Sequence, residues 1–169
     1  MNKLGDKAQQ YLREEKMQYK IINLEVDEID RIKKLWKELI DYHEDKSKHF
    51  SKRFSNYKFS EHKKELLKKT DKGKIKIDLV KGQNNHDIGY CVSLINEKKE
   101  GEIESLYLKS KYRNEGIGAK LMERALQWFE EKEINDIKIE IAVGNEEVAT
   151  FYDKFDFSPF SIMLRNNST

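Results

Sequence analysis

Residues Leu106 to Met122, LYLKSKYRNEGIGAKLM, set the tightest limit on what this chain can become. A hydrophobic run, Ile103 to Leu108, reads as a strand. A polar loop follows, carrying Arg113-Asn114-Glu115-Gly116-Ile117-Gly118, and an amphipathic helix starts at once. A strand, a glycine loop and a helix N-terminus in series make an anion site. The first N–H groups of a helix lack intrahelical acceptors, point outward and sit at the positive end of the helix dipole. Gly116 and Gly118 let backbone approach a phosphate with no Cβ in the way, and Arg113 adds a forked donor suited to phosphate oxygens. Two nucleotide motifs are excluded. The dinucleotide fingerprint G-x-G-x-x-G fails because position 121 is Leu, and the Walker loop breaks at Ala119-Lys120. What remains is R-x-x-G-x-G between strand and helix.

The rest of the chain must therefore supply a sheet for that strand. At 169 residues it is long enough for one domain with a sizeable core. The order of patterns is βααβββαβαβ. Leu4 to Lys16 reads as a short polar helix, so residues 1–17 are expected to be an N-terminal extension and 18–169 a single domain. Tyr19 to Leu24 is a first strand. Asp27 is placed to cap a helix whose stripe is Ile29, Ile32, Leu35, Trp36, Leu39 and Ile40. His49 to Lys69 is a second helical region, broken near Asn56. Ile75, Ile77 and Leu79 alternate with Lys74, Lys76 and Asp78, a half-buried strand, and Gly82 to Asn85 turns it into Ile88 to Ile95. Glu102 to Leu108 follows, then the helix lined by Ile117, Leu121, Met122, Ala125, Trp128 and Phe129. Ile137, Ile139, Ile141 and Val143 mark a fifth strand, Asn145 caps a short helix, and Phe157 to Leu164 reads as a closing strand. This predicts an α/β chain with a mixed, largely antiparallel central sheet of six to seven strands flanked by helices, with one parallel crossover through the helix after the glycine loop.

Charge narrows the partners. The net charge is +2, but residues 1–100 hold 24 Lys+Arg against 18 Asp+Glu, and 101–169 hold 9 against 13. Lys46 to Lys76 contains 12 basic and 3 acidic residues. Such a run can bind a polyanion. Its aromatics Phe50, Phe54, Tyr57 and Phe59 recur near helical spacing, however, which suits a buried face with lysines in solvent, so no nucleic-acid partner is expected. The lone Cys91 lies in an apolar strand and reads as a small buried hydrophobe, and no metal is expected. No leader pattern or apolar run of about 18 residues occurs, so a cytoplasmic protein without a membrane partner is expected. Lysine far outnumbers arginine, as in AT-rich bacterial sequences.

Two segments, LYLKSKYRNEGIGAKL and IEIAVGNEEVATFYDKFDF (Ile139 to Phe157), with the element order around them, resemble the GNAT superfamily of acyl-CoA-dependent N-acetyltransferases. The resemblance implies the fold above, acetyl-CoA as acyl donor, and a homodimer as one assembly. It implies that backbone amides of Arg113, Asn114, Glu115, Gly116, Ile117 and Gly118 hold the pyrophosphate. The strand edge at Leu106, Tyr107 and Leu108 would pair with the pantetheine arm, and an N–H near Leu108 would polarise the thioester carbonyl. Asn145 would hydrogen-bond the pantetheine, and Tyr152 would protonate the departing thiolate. Ser110 stands where proline is frequent; Asn114 and Asp156 stand where glycine is common, and both tolerate left-handed backbone.

An amine must lose a proton to attack an acetyl carbonyl, and a carboxylate of suitable pKa can take it. Glu140, five residues before Asn145, is the first candidate base, as a glutamate at the matching place serves in some members. Glu104, beside the glycine loop, is the second. Either also reads as a solvated strand carboxylate. Tyr152 also reads as a core aromatic, and a tyrosine can do both jobs. His43, at the end of the first amphipathic helix, could reach the acceptor pocket, but the favoured reading is a surface histidine. The expected function is N-acetylation of a primary amine by direct attack in a ternary complex. The favoured acceptor is a small molecule; the alternatives are a protein or peptide amine, or a non-catalytic acyl-CoA-binding module. The pair Tyr42-His43 with Trp36 slightly resembles acetyltransferases of the aminoglycoside type.

Overall fold

The computed structural model describes residues 18–166. The expected helix at Leu4 to Lys16 lies outside them. Five strands form one sheet in the order β1 (Lys20–Leu24), β2 (Lys74–Lys81), β3 (Asp87–Ile95), β4 (Gly101–Leu108), β5 (Ile137–Ile139). The first four pair antiparallel in sequence order, and β5 joins β4 parallel. The mixed, largely antiparallel sheet is thus as expected, but with five strands among the described residues rather than six to seven.

Each face of the sheet carries its own core. A 3-10 turn, Val26–Ile32, runs into α1 (Lys33–Lys46). The cap is not Asp27 but Glu25, whose N–H donates to Glu28 Oε2 at 3.1 Å in a capping box. Ile32, Leu35, Trp36 and Ile40 turn inward at helical spacing, and α3 (Phe59–Lys69) adds Phe59, His62 and Leu66. The chain breaks between α2 (Ser51–Asn56) and α3, where the break near Asn56 was expected. These helices cover Ile77, Leu79, Tyr90, Val92 and Leu94. On the other face α4 (Ile117–Glu131) and α5 (Ala149–Asp153) cover Val80, Cys91, Ile95 and Ile103 with Leu121, Met122, Phe129 and Tyr152. Cys91 is buried, which pushes its thiol up to about 12, as befits a small hydrophobe. The lysine-rich segment behaves likewise: Tyr57 and Phe59 pack on Trp36, and Phe54 on His43. Among the described residues no helix is long and apolar enough to cross a membrane.

Three details depart from the sequence pattern. Asp78, on the polar side of β2, is buried under α4, where Arg124 donates to it twice (Nη2 to Oδ1 2.9 Å, Nε to Oδ2 3.2 Å) and Lys76 pairs with it as well. Burial raises its carboxyl, but the two cations more than offset this and hold it below the ordinary value. Second, β5 ends at Ile139, and Ile141 and Val143 are exposed. Gly144 explains the departure: its φ is +96°, and a Cβ there would stand 2.4 Å from the Lys46 carbonyl oxygen. The chain is drawn away from β4 onto the end of α1. Third, Phe157 to Leu164 forms no strand, and Phe160, Ile162, Met163 and Leu164 are exposed. An alternating pattern makes a strand only where a neighbouring edge offers hydrogen bonds, and β5 is three residues long.

Arg124→Ala leaves Asp78 buried with Lys76 alone. We expect a loss of about 2–4 kcal/mol in urea unfolding at pH 7, the scale of a broken buried pair. The native carboxyl is held low, so its contribution is present above the unfolded value of about 3.9 and lost as pH falls below it. The gap between variant and wild type should therefore narrow at pH 3; an equal gap at both pH values would contradict the pairing.

Candidate active site

β4 and β5 pair only at Gly101↔Ile137, Glu102↔Lys138 and Ile103↔Ile139. Beyond Ile103 they part, while β4 continues to Leu108. The opening is a cleft of about 600 Å³ between β4, the glycine loop, α1, and the segment from Ile139 to Phe155. Its far end is closed by residues that hold the 144–147 loop to α1. The Tyr42 hydroxyl stands 3.1 Å from both Asn145 Oδ1 and Glu147 Oε1, and Lys46 Nζ lies 3.2 Å from Glu147 Oε1.

The glycine loop forms one end. Asn114 takes φ +63° and Gly116 φ +80°, so both positions use the left-handed freedom for which their residue types suit them. Gly116 is the N-cap of α4 and makes no side-chain cap; a Cβ built on it meets nothing within 4 Å. The Arg113 amide donates to the Ser110 carbonyl at 3.1 Å. Among the described residues no acceptor partners the amides of Asn114 to Ala119, so the free run starts one residue later than expected and ends one later. Glu115 is exposed and Ile117, the first residue of α4, is buried in the core, so only their backbone is offered. Arg113 does not extend from the loop: Nε donates to the Leu108 carbonyl at 2.8 Å, and the guanidinium stands over the rings of Tyr42 (5.3 Å) and Tyr107 (5.8 Å). Leu106, Tyr107 and Leu108 line the cleft along the edge that β5 leaves free.

The two candidate bases differ sharply. Glu140 follows the end of β5, exposed at the cleft wall. Glu104 is the extra residue of a β-bulge: Val92 pairs with Ser105 and Ser93 with Ile103, so Glu104 is skipped. Its side chain is 16% exposed, and Oε2 has no hydrogen-bond partner among the described residues. Burial pushes its carboxyl up to about 7, against the lesser pull of Ser105 and Lys69. Tyr152 also lines the cleft and is packed against Phe151 and Phe157. Burial raises its phenol well above the ordinary value, so it keeps its proton at neutral pH.

The sequence reading missed two features. His43 is not a surface histidine; it is half-buried on the cleft wall, where burial lowers its pKa. His62 sits on the stripe Phe59, His62, Leu66, a spacing that marks a buried face, and stands beside Glu104.

Comparison with known proteins follows the same outline. The sequence profile of the acetyltransferase (GNAT) family matches residues 36–157. A protein of Archaeoglobus fulgidus described as an uncharacterized N-acetyltransferase is 38% identical over 64 residues, 38% of this chain and 44% of that protein. A Bacillus subtilis protein described as a candidate alanine N-acetyltransferase for ribosomal protein bS18 is 29% identical over 84 residues, 50% of this chain and 55% of that protein. The chain thus spans about half the length of the curated relatives it matches. Among solved structures, a GCN5-related N-acetyltransferase from Ralstonia eutropha superposes with TM-score 0.70 at 16% identity, over 88% of this chain and 98% of that one. An aminoglycoside N-acetyltransferase in complex with CoA gives 0.62 at 12%, over 89% and 94%. At such identities the structural likeness bears on fold alone.

Native Glu104 holds its proton to about pH 7, whereas a glutamate in the unfolded chain releases it near 4.3. The native state therefore loses stability as pH rises from about 4.5 to 7 and stays lower above that. We expect Glu104→Gln to match wild-type stability at pH 4.5 and to exceed it at pH 8, by at most about 3 kcal/mol, in denaturant titrations. A difference that does not vary with pH would show that the carboxyl titrates normally.

Proposed function

Since this chain belongs to the acetyltransferase (GNAT) family, we propose that it transfers an acetyl group from acetyl-CoA to a primary amine by direct attack within a ternary complex. The observation that carries this reading is one cleft that brings together the unpartnered amides of Asn114 to Ala119, the buried carboxyl of Glu104 and the buried phenol of Tyr152. The free amides at the α4 N-terminus suit the pyrophosphate, with room above Gly116. The open edge at Leu106 to Leu108 suits the amides of the pantetheine arm, with Asn145 facing it across the cleft.

The chemistry follows from the two acids. Glu104, ionised in the neutral range, takes a proton from the ammonium of the acceptor. The freed amine attacks the thioester carbonyl, the C–S bond breaks, the thiolate takes its proton from the Tyr152 hydroxyl, and the remaining excess proton on the attacking nitrogen passes to the Tyr152 phenolate as the amide forms. A phenol that stays protonated at neutral pH is the form an acid requires. We favour Glu104 over Glu140 because Glu104 lines the cleft with its carboxyl pushed up to about 7 by burial, whereas Glu140 is exposed at the cleft wall. The acceptor is a small cationic amine: Glu104, Glu140 and Glu147 line the cleft. A peptide amine is the second reading, supported by the name of the Bacillus subtilis relative.

Acetyl-CoA at about 100 times its dissociation constant should stabilise the protein by about 2.7 kcal/mol, read as a thermal shift. Gly116→Glu, which places a carboxylate at the free amides, should abolish that shift and the calorimetric binding signal; retained affinity would refute the loop assignment. Tyr152→Phe should lower turnover in a thiol-release assay across an amine panel while leaving acetyl-CoA affinity unchanged, as for a group used mainly in the transition state. Unchanged turnover would remove Tyr152 from the mechanism. Acetyl-CoA binding without thiol release for any amine would leave a binding module.

A further inference from the structure

We infer that His62 is the positioning residue of the base: a neutral imidazole set behind Glu104 that fixes the carboxyl at the β4 bulge without lending it charge. The inference rests on the reading of Glu104 as the base. His62 is 3% exposed, and its Nδ1 lies 3.5 Å from Glu104 Oε1. That is long for a hydrogen bond, but such contacts in free enzymes often tighten when substrate binds. The ring is clamped from several sides: it stacks on Trp36 at 5.1 Å and 22°, with Tyr57 edge-on at 6.1 Å and Phe59 at 6.0 Å. His62 Nε2 and Glu104 Oε2 are both buried and unpartnered among the described residues. The Ser105 and Tyr90 hydroxyls, which act on or feel the carboxyl, are buried as well.

A carboxylate on a bulge has no ladder neighbour to fix its rotamer, so something else must hold it. A lysine or arginine would do so, but an adjacent cation favours the ionised form and pulls a carboxyl pKa down by one to three units. Such a carboxylate is a poor base at neutral pH. The helix that supplies His62 carries Lys63, Lys64, Lys68 and Lys69, yet the side chain placed against Glu104 is a histidine. Lys69 instead pairs with Glu102 at 3.1 Å. Burial pushes His62 down to about 4, so it stays neutral wherever Glu104 works. The other charged groups near the pair are Glu65, which accepts from Tyr57 at 2.6 Å, and Glu102. A neutral imidazole with its proton on Nδ1 can donate to the ionised carboxylate, and one with its proton on Nε2 can accept from the protonated carboxyl.

The test separates the contact from the catalysis. In the full chain with ¹³C-labelled glutamate, the Glu104 carboxyl resonance, assigned with Glu104→Gln, is titrated in wild type, His62→Phe and His62→Gln. Phe keeps the aromatic clamp but removes both nitrogens, and Gln keeps a neutral donor. We expect a wild-type midpoint near 7. His62→Phe should raise it by about one unit because the carboxylate loses its polar neighbour, and His62→Gln should stay near wild type. Thiol release with the best amine of the panel should fall roughly tenfold in kcat for His62→Phe with KM for acetyl-CoA unchanged. The acid limb of its pH profile should move up with the resonance. An unmoved midpoint in His62→Phe, or an equal shift in both variants, overturns the role of His62. Full turnover in Glu104→Gln overturns the base reading itself, and His62 falls with it as a positioning residue, whatever the resonance shows.

Discussion

The parting of β4 from β5 after three paired residues is the constraint from which the site follows. Had the ladder continued, the backbone groups of β4 from Glu104 to Leu108 would be consumed by β5 and no cleft would open. The separation is held from outside the sheet. Gly144, in a left-handed conformation with the Lys46 carbonyl where its Cβ would be, brings the chain against α1. Tyr42 and Lys46 then tie down Asn145 and Glu147. A free strand edge is ordinarily a liability in a sheet. Here it lies inside a cleft, flanked by the α4 N-terminus, with its backbone groups open to the cleft.

Two sequestered carboxylates, on strands separated by β3, show how the fold sets opposite chemistries with one residue class. Asp78 on β2 faces α4 and meets Arg124 and Lys76, so it stays ionised and acts as a strut between sheet and helix. Glu104 on β4 meets the neutral ring of His62, and burial carries it toward 7. Burial opposes ionisation in both; the charge of the neighbour decides the sign. A structural carboxylate gains from a cation, whereas a base would be spoiled by one.

The strand, glycine loop and helix at one end of the cleft were legible in the sequence because they are written locally. Strand, loop and helix are consecutive, and the conformational demands fall on residue types that advertise them: Asn114, Gly116 and Asp156 all take positive φ. The helical stripe through Ile32, Leu35, Trp36 and Ile40 was likewise complete in one segment. What failed depended on partners far along the chain. Ile141 and Val143 continue the alternation of β5 but not its ladder, because Gly144 belongs to α1's packing. Phe157 to Leu164 has strand composition and no edge to pair with. The half-buried reading of β2 did not anticipate that Asp78 lies under Arg124, 46 residues away.

The same distinction accounts for the acceptor side. From α1 the cleft takes Leu39, Tyr42 and His43, and the lysine-rich part of the chain, whose net charge alone points to an anion-binding surface, lies behind it. Folding sorts those charges by reach. Lysine stems hold their ammonium groups in solvent, while the aromatics and His62 turn inward to Trp36. The cleft is lined by Glu104 from β4 and by Glu140 and Glu147 from the segment after β5. A segment basic in composition thus lies behind a cleft lined by three glutamates together with Arg113 and Lys154, and composition does not give the charge of that lining. Charge counted along a chain predicts a partner only when the charged side chains face it; here the helix period, which puts His62 on the stripe with Phe59 and Leu66, carries more information than the number of lysines.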